Sequence, residues 1–501
     1  MKELVAIARK LQGQGKKVVQ CHGTFDLMHP GHIEHLQLAK NQGDILIVSV
    51  TADHLIRKGP GHPVFPQVLR LQSVAALECV DYVLLDELGE GPALIRLIKP
   101  DVFAKGPDYV AALGVAGSHT DLERRAVEAG GGSFHITGSR TVFSSTKFIN
   151  QYFNLFSEEA AKFLNVFRKN HSWEEIDRWL KALAHKRILV IGDAIIDEYH
   201  YCKPLGMSAK ENLISVNYDE EESFVGGAVA TANHIAGFCE EEVGLFSLLG
   251  RGDSRADFIR RHLQKNIKPF FVYRDDGPTV VIRRYLESVF LKKYFQLYFH
   301  NPFVSEKLDK QIARVLRPLL KIYDIVVVND FGLGFLGKHS IALISQYGKY
   351  VAVNTQTNSS NRGYNLITKY PRVDYVCIDE PEIRLATHSR HDPIPALIKE
   401  FAPRLGCAAF TVTLGHEGSL GYDTAQDVFY RTPVFSGKVV DRVGAGDAYF
   451  SITAPLVAIG APMDIVGFLG NIMGAIAVTI VGNKRSIDYR ELSKAASGLL
   501  K

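Results

Sequence analysis

Four histidines fall within the sixteen residues "CHGTFDLMHPGHIEHL" at 21–36, and two of them, His29 and His32, flank Pro-Gly. Imidazoles clustered in this way bind a metal ion or meet phosphate charge. The run before them, "KKVVQC", is β-rich, and the run after, "HIEHLQLAKNQG", has helical character closing on Gly43. A loop between strand and helix ends on unpaired backbone N–H groups and a partial positive charge, which suits phosphate. Zinc is the competing reading, but it lacks a clustered cysteine or carboxylate set beyond Asp26 and Glu34. Chance surface histidines are the third. A second phrase, "VVDRVGAGDAYFS" at 439–451, runs a glycine-rich turn into a helix. Its N–H groups suit an anion, and Asp447 at its edge suits a base accepting a proton from a hydroxyl. A purely structural turn is the alternative there.

These phrases need scaffolds to hold them, and 501 residues exceed what one core usually contains, so at least two domains are expected. Apolar residues make up 46% and charged residues 22%, enough for sizeable cores and too ordered a balance for disorder. No uninterrupted apolar run of about 18 residues is present, and the N-terminus carries charges where a signal peptide needs apolar residues. A cytoplasmic protein without a membrane partner is the expectation. Six scattered cysteines form no Cys-x-x-Cys pair and read as buried thiols. A formal charge of +4 without a dense basic run predicts no nucleic-acid partner and favours a small phosphorylated one. "DILIVSV", "VDYVLL" and "DVFAKG" read as strands of a first α/β unit, and "RILVIGDAIID" opens a second set continuing through "DIVVVND", "YVAVNT", "VDYVCID" and "AAFTVTLG". The polar helical stretch between them reads as a linker. The expected organisation is an α/β domain at 1–156, a helical linker at 157–185 and a second α/β domain at 186–501.

"GTFDLMHPGHIEHL" resembles the signature of the cytidylyltransferase-like nucleotidyltransferases, and "RKG" at 57–59, "FAKGPDY" at 103–109 and "FSSTKFI" at 143–149 follow in that family's order. The resemblance implies a Rossmann-like domain that binds a nucleoside triphosphate through Gly23, Thr24, Phe25, Lys58, Ser144, Ser145 and Thr146. It implies that His29, His32 and Lys105 stabilise phosphate charge as pyrophosphate leaves, an electrostatic task. Solvated surface charge is the plain alternative for Lys58 and Lys105, and ordinary polar roles for His22 and His35. The second phrase is similar to the Asp-Thr-x-Gly-Ala-Gly-Asp signature of ribokinase-like (PfkB) sugar kinases. "VIGDAIIDEY" at 190–199, "GGAVATANHIA" at 226–236, "IDEPE" at 378–382 and "TVTLGHEG" at 411–418 stand in that family's order. The resemblance makes Asp447 the general base, with Gly444, Ala445 and Gly446 holding the transferred phosphoryl group. It assigns the sugar to Asp193, Asp197, Gly226 and Gly227, an indirect hold on Mg2+ to Glu382, and the adenine nucleotide to Thr413, Gly415 and Gly418.

Joined in one chain, the halves resemble the bifunctional heptose-phosphate kinase and nucleotidyltransferase enzymes of lipopolysaccharide precursor (ADP-heptose) synthesis. That implies ATP-dependent phosphorylation of a sugar phosphate at C1, nucleotidyl transfer from ATP or CTP to a sugar 1-phosphate, Mg2+, and a homo-oligomer. Three features depart from the pattern: the domain order is reversed, Ala230 stands where an asparagine is usual, and Asp379 replaces another asparagine. Two further readings therefore stay open. One is a cytidylyltransferase for an alditol phosphate or another sugar, fused to a kinase of different specificity; the other gives the second half a degenerate, binding role.

Overall fold

Runs of Val, Ile and Leu with no polar alternation bury both faces of a strand, and such strands form parallel sheets covered by helices. The computed structural model of the chain describes residues 2–56, 62–89, 91–107, 109, 118–138, 156–208, 210–289, 291–435 and 439–500. It divides into two units, Met1–Leu155 and Phe156–Leu500.

The first unit contains β1 (Val18–Gly23), β2 (Ile45–Thr51), β3 (Tyr82–Asp86), β4 (Val102–Lys105) and β5 (Ser133–Ile136). They form one parallel sheet in the order β3-β2-β1-β4-β5. Strand order reverses between β1 and β4, and an open α/β sheet leaves a ligand crevice at that switch point, beyond the carboxyl ends of the strands. Val19, Leu46, Val48, Val50 and Ala104 form the core under the helix Pro30–Lys40.

The second unit has β6 (Ile188–Gly192), β7 (Ala194–Met207), β8 (Ile214–Gly227), β9 (Val243–Gly250), β10 (Ile267–Arg274), β11 (Val280–Glu287) and β12 (Lys293–Phe299). It continues with β13 (Ile325–Asp330), β14 (Val351–Thr355), β15 (Tyr375–Asp379), β16 (Ala409–Thr413), β17 (Ser419–Asp423) and β18 (Val428–Thr432). A nine-stranded sheet runs β10-β9-β6-β13-β14-β15-β16-β17-β18, and a four-stranded sheet runs β12-β11-β7-β8. In the large sheet the order reverses between β6 and β13, which creates a second crevice beside the almost wholly buried helix Ala445–Ala458. The α/β class read from sequence is therefore present in both units. The segment expected as a linker forms the helices Glu158–Asn170 and Trp173–Ala182. Their residues Ala160, Leu164, Phe167, Ile176 and Leu180 lie inside the second unit's core, with Phe167 stacked on Phe468 at 4.3 Å. Among the described residues no helix is long and apolar enough to cross a membrane.

Candidate active sites

In the first unit His29 is the N-cap of the helix Pro30–Lys40, with proline at the first helical position, where a missing N–H costs nothing. The rings of His29 and His32 stack at 3.9 Å, and Phe25, at φ +48°, meets His32 edge-on at 5.4 Å. A fully buried Arg70 holds this loop, donating to the carbonyls of Thr24, Phe65 and Thr51 and to Asp53. Asp26 accepts from the backbone of Val64 and Phe65 and pairs with His62 at 3.1 Å. Its carboxyl stays below the usual range: burial opposes ionisation, but these donors outweigh it.

Lys105 ends β4, across the switch point from the histidine loop. It is buried, with Nζ 3.0 Å from Glu123 Oε1 and 4.5 Å from the Tyr109 ring. Burial favours the neutral amine, but the Glu123 charge overrides it and raises the proton affinity, so Lys105 is a cation. Burial, followed by the positive charge of Lys105, pushes His22 down to about 3 and His35 down to about 4. Both are neutral imidazoles serving structure, His22 against Ser49 at 3.0 Å and His35 against Thr137 at 2.7 Å. Gly23 ends β1, where an added Cβ would press on the Phe25 ring at 3.1 Å. The expected nucleotide contacts Lys58, Ser144, Ser145 and Thr146 lie outside the described residues.

The second unit gathers most of its expected residues at the crevice between β6 and β13. Gly444, at φ +83°, is the N-cap of the helix Ala445–Ala458, and this left-handed turn places Ala445, Gly446 and Asp447 in its first turn. Asp447 Oδ1 accepts from Asn329 Nδ2 at 3.0 Å and Gln356 Nε2 at 3.1 Å. Burial pushes its carboxyl up to about 6, close to the range in which a carboxylate can exchange a proton near neutrality. Asp193 follows β6 and accepts from the Phe331 N–H at 3.1 Å; burial and the neighbouring Asp330 push it up to about 7. Asp197 on β7 pairs with Arg284 of β11, and Gly226 on β8 leaves room for it, since a Cβ there would collide with the Asp197 carboxylate. Gly227, at φ +59°, opens the helix Ala228–Ala236, in which Ala230 is buried.

Thr413 ends β16, and Gly415 and Gly418, at φ +59° and +91°, make the tight turn into β17. A Cβ on Gly418 would strike the Thr432 carbonyl, so this backbone approach is available only to glycine. Glu382 caps the helix Glu380–Thr387: its oxygens accept the N–H groups of Thr357 and Asp379 at 2.8 Å each. Burial and Asp379 push it up to about 8. Among the described residues no group of three or more His, Cys, Asp or Glu is placed to hold a metal ion.

Sequence reasoning missed the residues that surround these groups. Asn329 and Gln356 come from the ends of β13 and β14; the available signal was that both apolar strands end in polar residues at their carboxyl termini, facing the crevice. Asp330, bound by Tyr370 and Lys369 at 2.6 Å each, was another. Asp441, inside the quoted phrase, accepts from Tyr199 at 2.6 Å and pairs with Lys293 at 2.7 Å.

A cytidylyltransferase-like family model matches residues 21–151, and the pfkB family carbohydrate kinase model matches residues 185–488. Residues of the chain are 40% identical over 128 positions to the bifunctional protein HldE of Nitratiruptor sp., covering 25% of this chain and 28% of that one. The HldE protein of Geobacter metallireducens is 34% identical over 158 residues, 31% of each chain. The match thus spans less than a third of those relatives' length. Among solved structures, a microbiome-derived acarbose kinase aligns at TM-score 0.51 and 16% identity over 62% of this chain and 99% of its own. Phosphofructokinase-2 from Escherichia coli aligns at TM-score 0.50 and 15% identity over 63% of this chain and 100% of its own. At these identities the likeness is one of fold.

Proposed function

Because the chain belongs to the pfkB family of carbohydrate kinases and carries a cytidylyltransferase-like domain ahead of the kinase, we propose that it is a bifunctional enzyme of nucleotide-sugar synthesis. The second unit phosphorylates C1 of a heptose phosphate or a closely related sugar phosphate, and the first transfers a nucleotidyl group to a sugar 1-phosphate. The observation that supports this most is Asp447, buried in the first turn of a helix behind Gly444, Ala445 and Gly446, with its proton affinity raised. The acceptor hydroxyl gives its proton to Asp447 while its oxygen attacks the γ-phosphorus of ATP; the bond from that phosphorus to the β-phosphate oxygen breaks and ADP leaves. The N–H groups at the helix start take up charge on the moving phosphoryl group. Asp193 and Asp197 hold sugar hydroxyls, and Glu382, fixed by two amides, is suited to an outer contact with magnesium. Bound magnesium supplies charge neutralisation on the phosphates. In the first unit, His29, His32 and Lys105 serve the α-phosphate as pyrophosphate departs. Ala230 supports a substrate other than the usual heptose, since its methyl group offers no hydrogen bond to a sugar.

The test is release of ADP with heptose 7-phosphate and a panel of sugar phosphates, beside release of pyrophosphate from ATP or CTP with sugar 1-phosphates. Asp447→Asn keeps shape but removes the base, so sugar-dependent ADP release falls by about 10²- to 10⁴-fold while pyrophosphate release persists. His32→Ala does the reverse, lowering pyrophosphate release by about 10²- to 10³-fold. A wild-type protein whose ADP release no sugar phosphate stimulates overturns the kinase assignment.

A further inference from the structure

A carboxylate serves as a base through one oxygen, and the neighbours of Asp447 decide which. Asn329 Nδ2 and Gln356 Nε2 donate to the same oxygen, Oδ1. The Asn329 side-chain amide is itself tied down, and Gln356 is held through its backbone. Asn329 is fully buried, and its Nδ2 also donates to Thr231 Oγ1 at 2.8 Å. The Gln356 N–H donates to the Asp330 carbonyl at 2.8 Å, and its carbonyl accepts from Asn361 and Asn365 at 3.2 Å each. Among the described residues Oδ2 has no donor. Two donors on one oxygen fix the rotation of the carboxylate plane.

We propose that Asn329 and Gln356 are positioning residues for phosphoryl transfer: they fasten Asp447 Oδ1 and leave Oδ2 as the oxygen that receives the acceptor's proton. This rests on the general-base reading above and adds to it which oxygen acts and what holds it. Two strands deliver the pair, β13 with Asn329 and the turn after β14 with Gln356, so the base is set by the large sheet and not only by its own helix. The charged group acting on Asp447 from another element is Asp197 on β7, whose charge Arg284 of β11 balances. The helix Ala228–Ala236 presents the neutral Thr231, and β13 and the β14 turn present neutral amides. Changing the charge at position 356 therefore moves the proton affinity of Asp447 in a direction fixed by sign.

The experiment is the pH profile of kcat/KM for sugar-dependent ADP release by the full chain carrying Gln356→Met, Gln356→Glu and Gln356→Lys, with Asp447→Asn alongside. The acid limb reports the base in the free enzyme. Loss of one donor to the charged form moves that limb up by about one pH unit in Gln356→Met. Gln356→Glu adds a like charge and moves it further up, whereas Gln356→Lys moves it down. A merely structural residue lowers the rate without the upward shift in Gln356→Met, which removes the donor and adds no charge. Limbs that coincide with wild type in Gln356→Lys and Gln356→Glu, beside an inactive Asp447→Asn, overturn the positioning role and leave the general base standing. An Asp447→Asn protein as active as wild type overturns the base itself. Where Gln356→Met does not fold, Gln356→Asn, which keeps the amide and shortens its reach, takes its place: an upward shift supports the proposal, and an unmoved limb contradicts it.

Discussion

Gly444→Ala separates the proposed phosphate-holding role of the turn before the helix Ala445–Ala458 from its contribution to stability. At φ +83° an alanine pays the left-handed penalty, about 1–2 kcal/mol. The new Cβ also collides with Asn483 Oδ1, with Asn483 Cγ 3.1 Å away. That neighbour is the far end of a half-buried side chain, so it can swing aside, and most of the stability loss is the backbone term. For a domain of this size such a loss lowers Tm by about 1–3 °C. In the proposed mechanism catalysis is more sensitive, because the N–H groups of this turn aim at a moving phosphoryl group, and misplacing one such donor costs about 10²- to 10³-fold. The assay is differential scanning calorimetry of the full chain beside ADP release with the best sugar phosphate, with pyrophosphate release as the internal control. Adding Asn483→Ala relieves the collision but not the strain, so it restores part of the rate if contact is what displaces the turn. ADP release close to wild type, together with the expected drop in Tm, would refute the view that this turn holds the phosphoryl group.

His171 ties the first helices of the second unit to the helix Met463–Ala477, with Nε2 2.7 Å from Asp464 and Nδ1 3.1 Å from Glu175. Burial disfavours its charge, but the two carboxylates outweigh it and raise its proton affinity. The stabilisation is then complete below the ordinary histidine value of about 6.5 and is lost as pH rises through the folded value. Tm of a 156–500 fragment should fall across that window, and His171→Gln should flatten the fall; a wild-type Tm that stays level or rises would contradict the linkage. The same helices set where the chain can be cut. A fragment starting at 156 keeps Ala160, Leu164 and Phe167 in its core and should fold, whereas one starting at 170 loses them. Since deleting a single buried phenylalanine side chain costs about 3–5 kcal/mol, the shorter fragment should aggregate on expression. Equal solubility and ADP release from the two would show that these helices are dispensable.

Residues that share one contiguous phrase were legible in the sequence, because a turn and the helix it opens are local. Gly444 to Asp447 and His29 to His32 each occupy a single strand-loop-helix or turn-helix unit, so spacing alone places them together. The α/β class followed for a similar reason: apolar runs without alternation leave a strand few partners other than a covered parallel sheet. The helices from 157 to 185 were harder to place because their surface is strongly charged. Their signal lay in the i, i+3 and i, i+4 pairs Leu164 with Phe167 and Ile176 with Leu180, a narrow apolar stripe that needs a core to cover it. Asn329 and Gln356 were legible only as polar ends of apolar strands, not as partners of Asp447, for they stand 118 and 91 positions from it in sequence. Only the placement of β13 beside both β6 and β14 brings their amides to Asp447. Lys105 and Glu123 show the same limit on the other unit: either residue alone reads as surface charge, and a buried lysine stays charged only because its partner is there. What a sequence phrase reveals is thus the group proposed to react, while the groups that surround it and set its charge come from strand ends that chain topology, not spacing, makes adjacent.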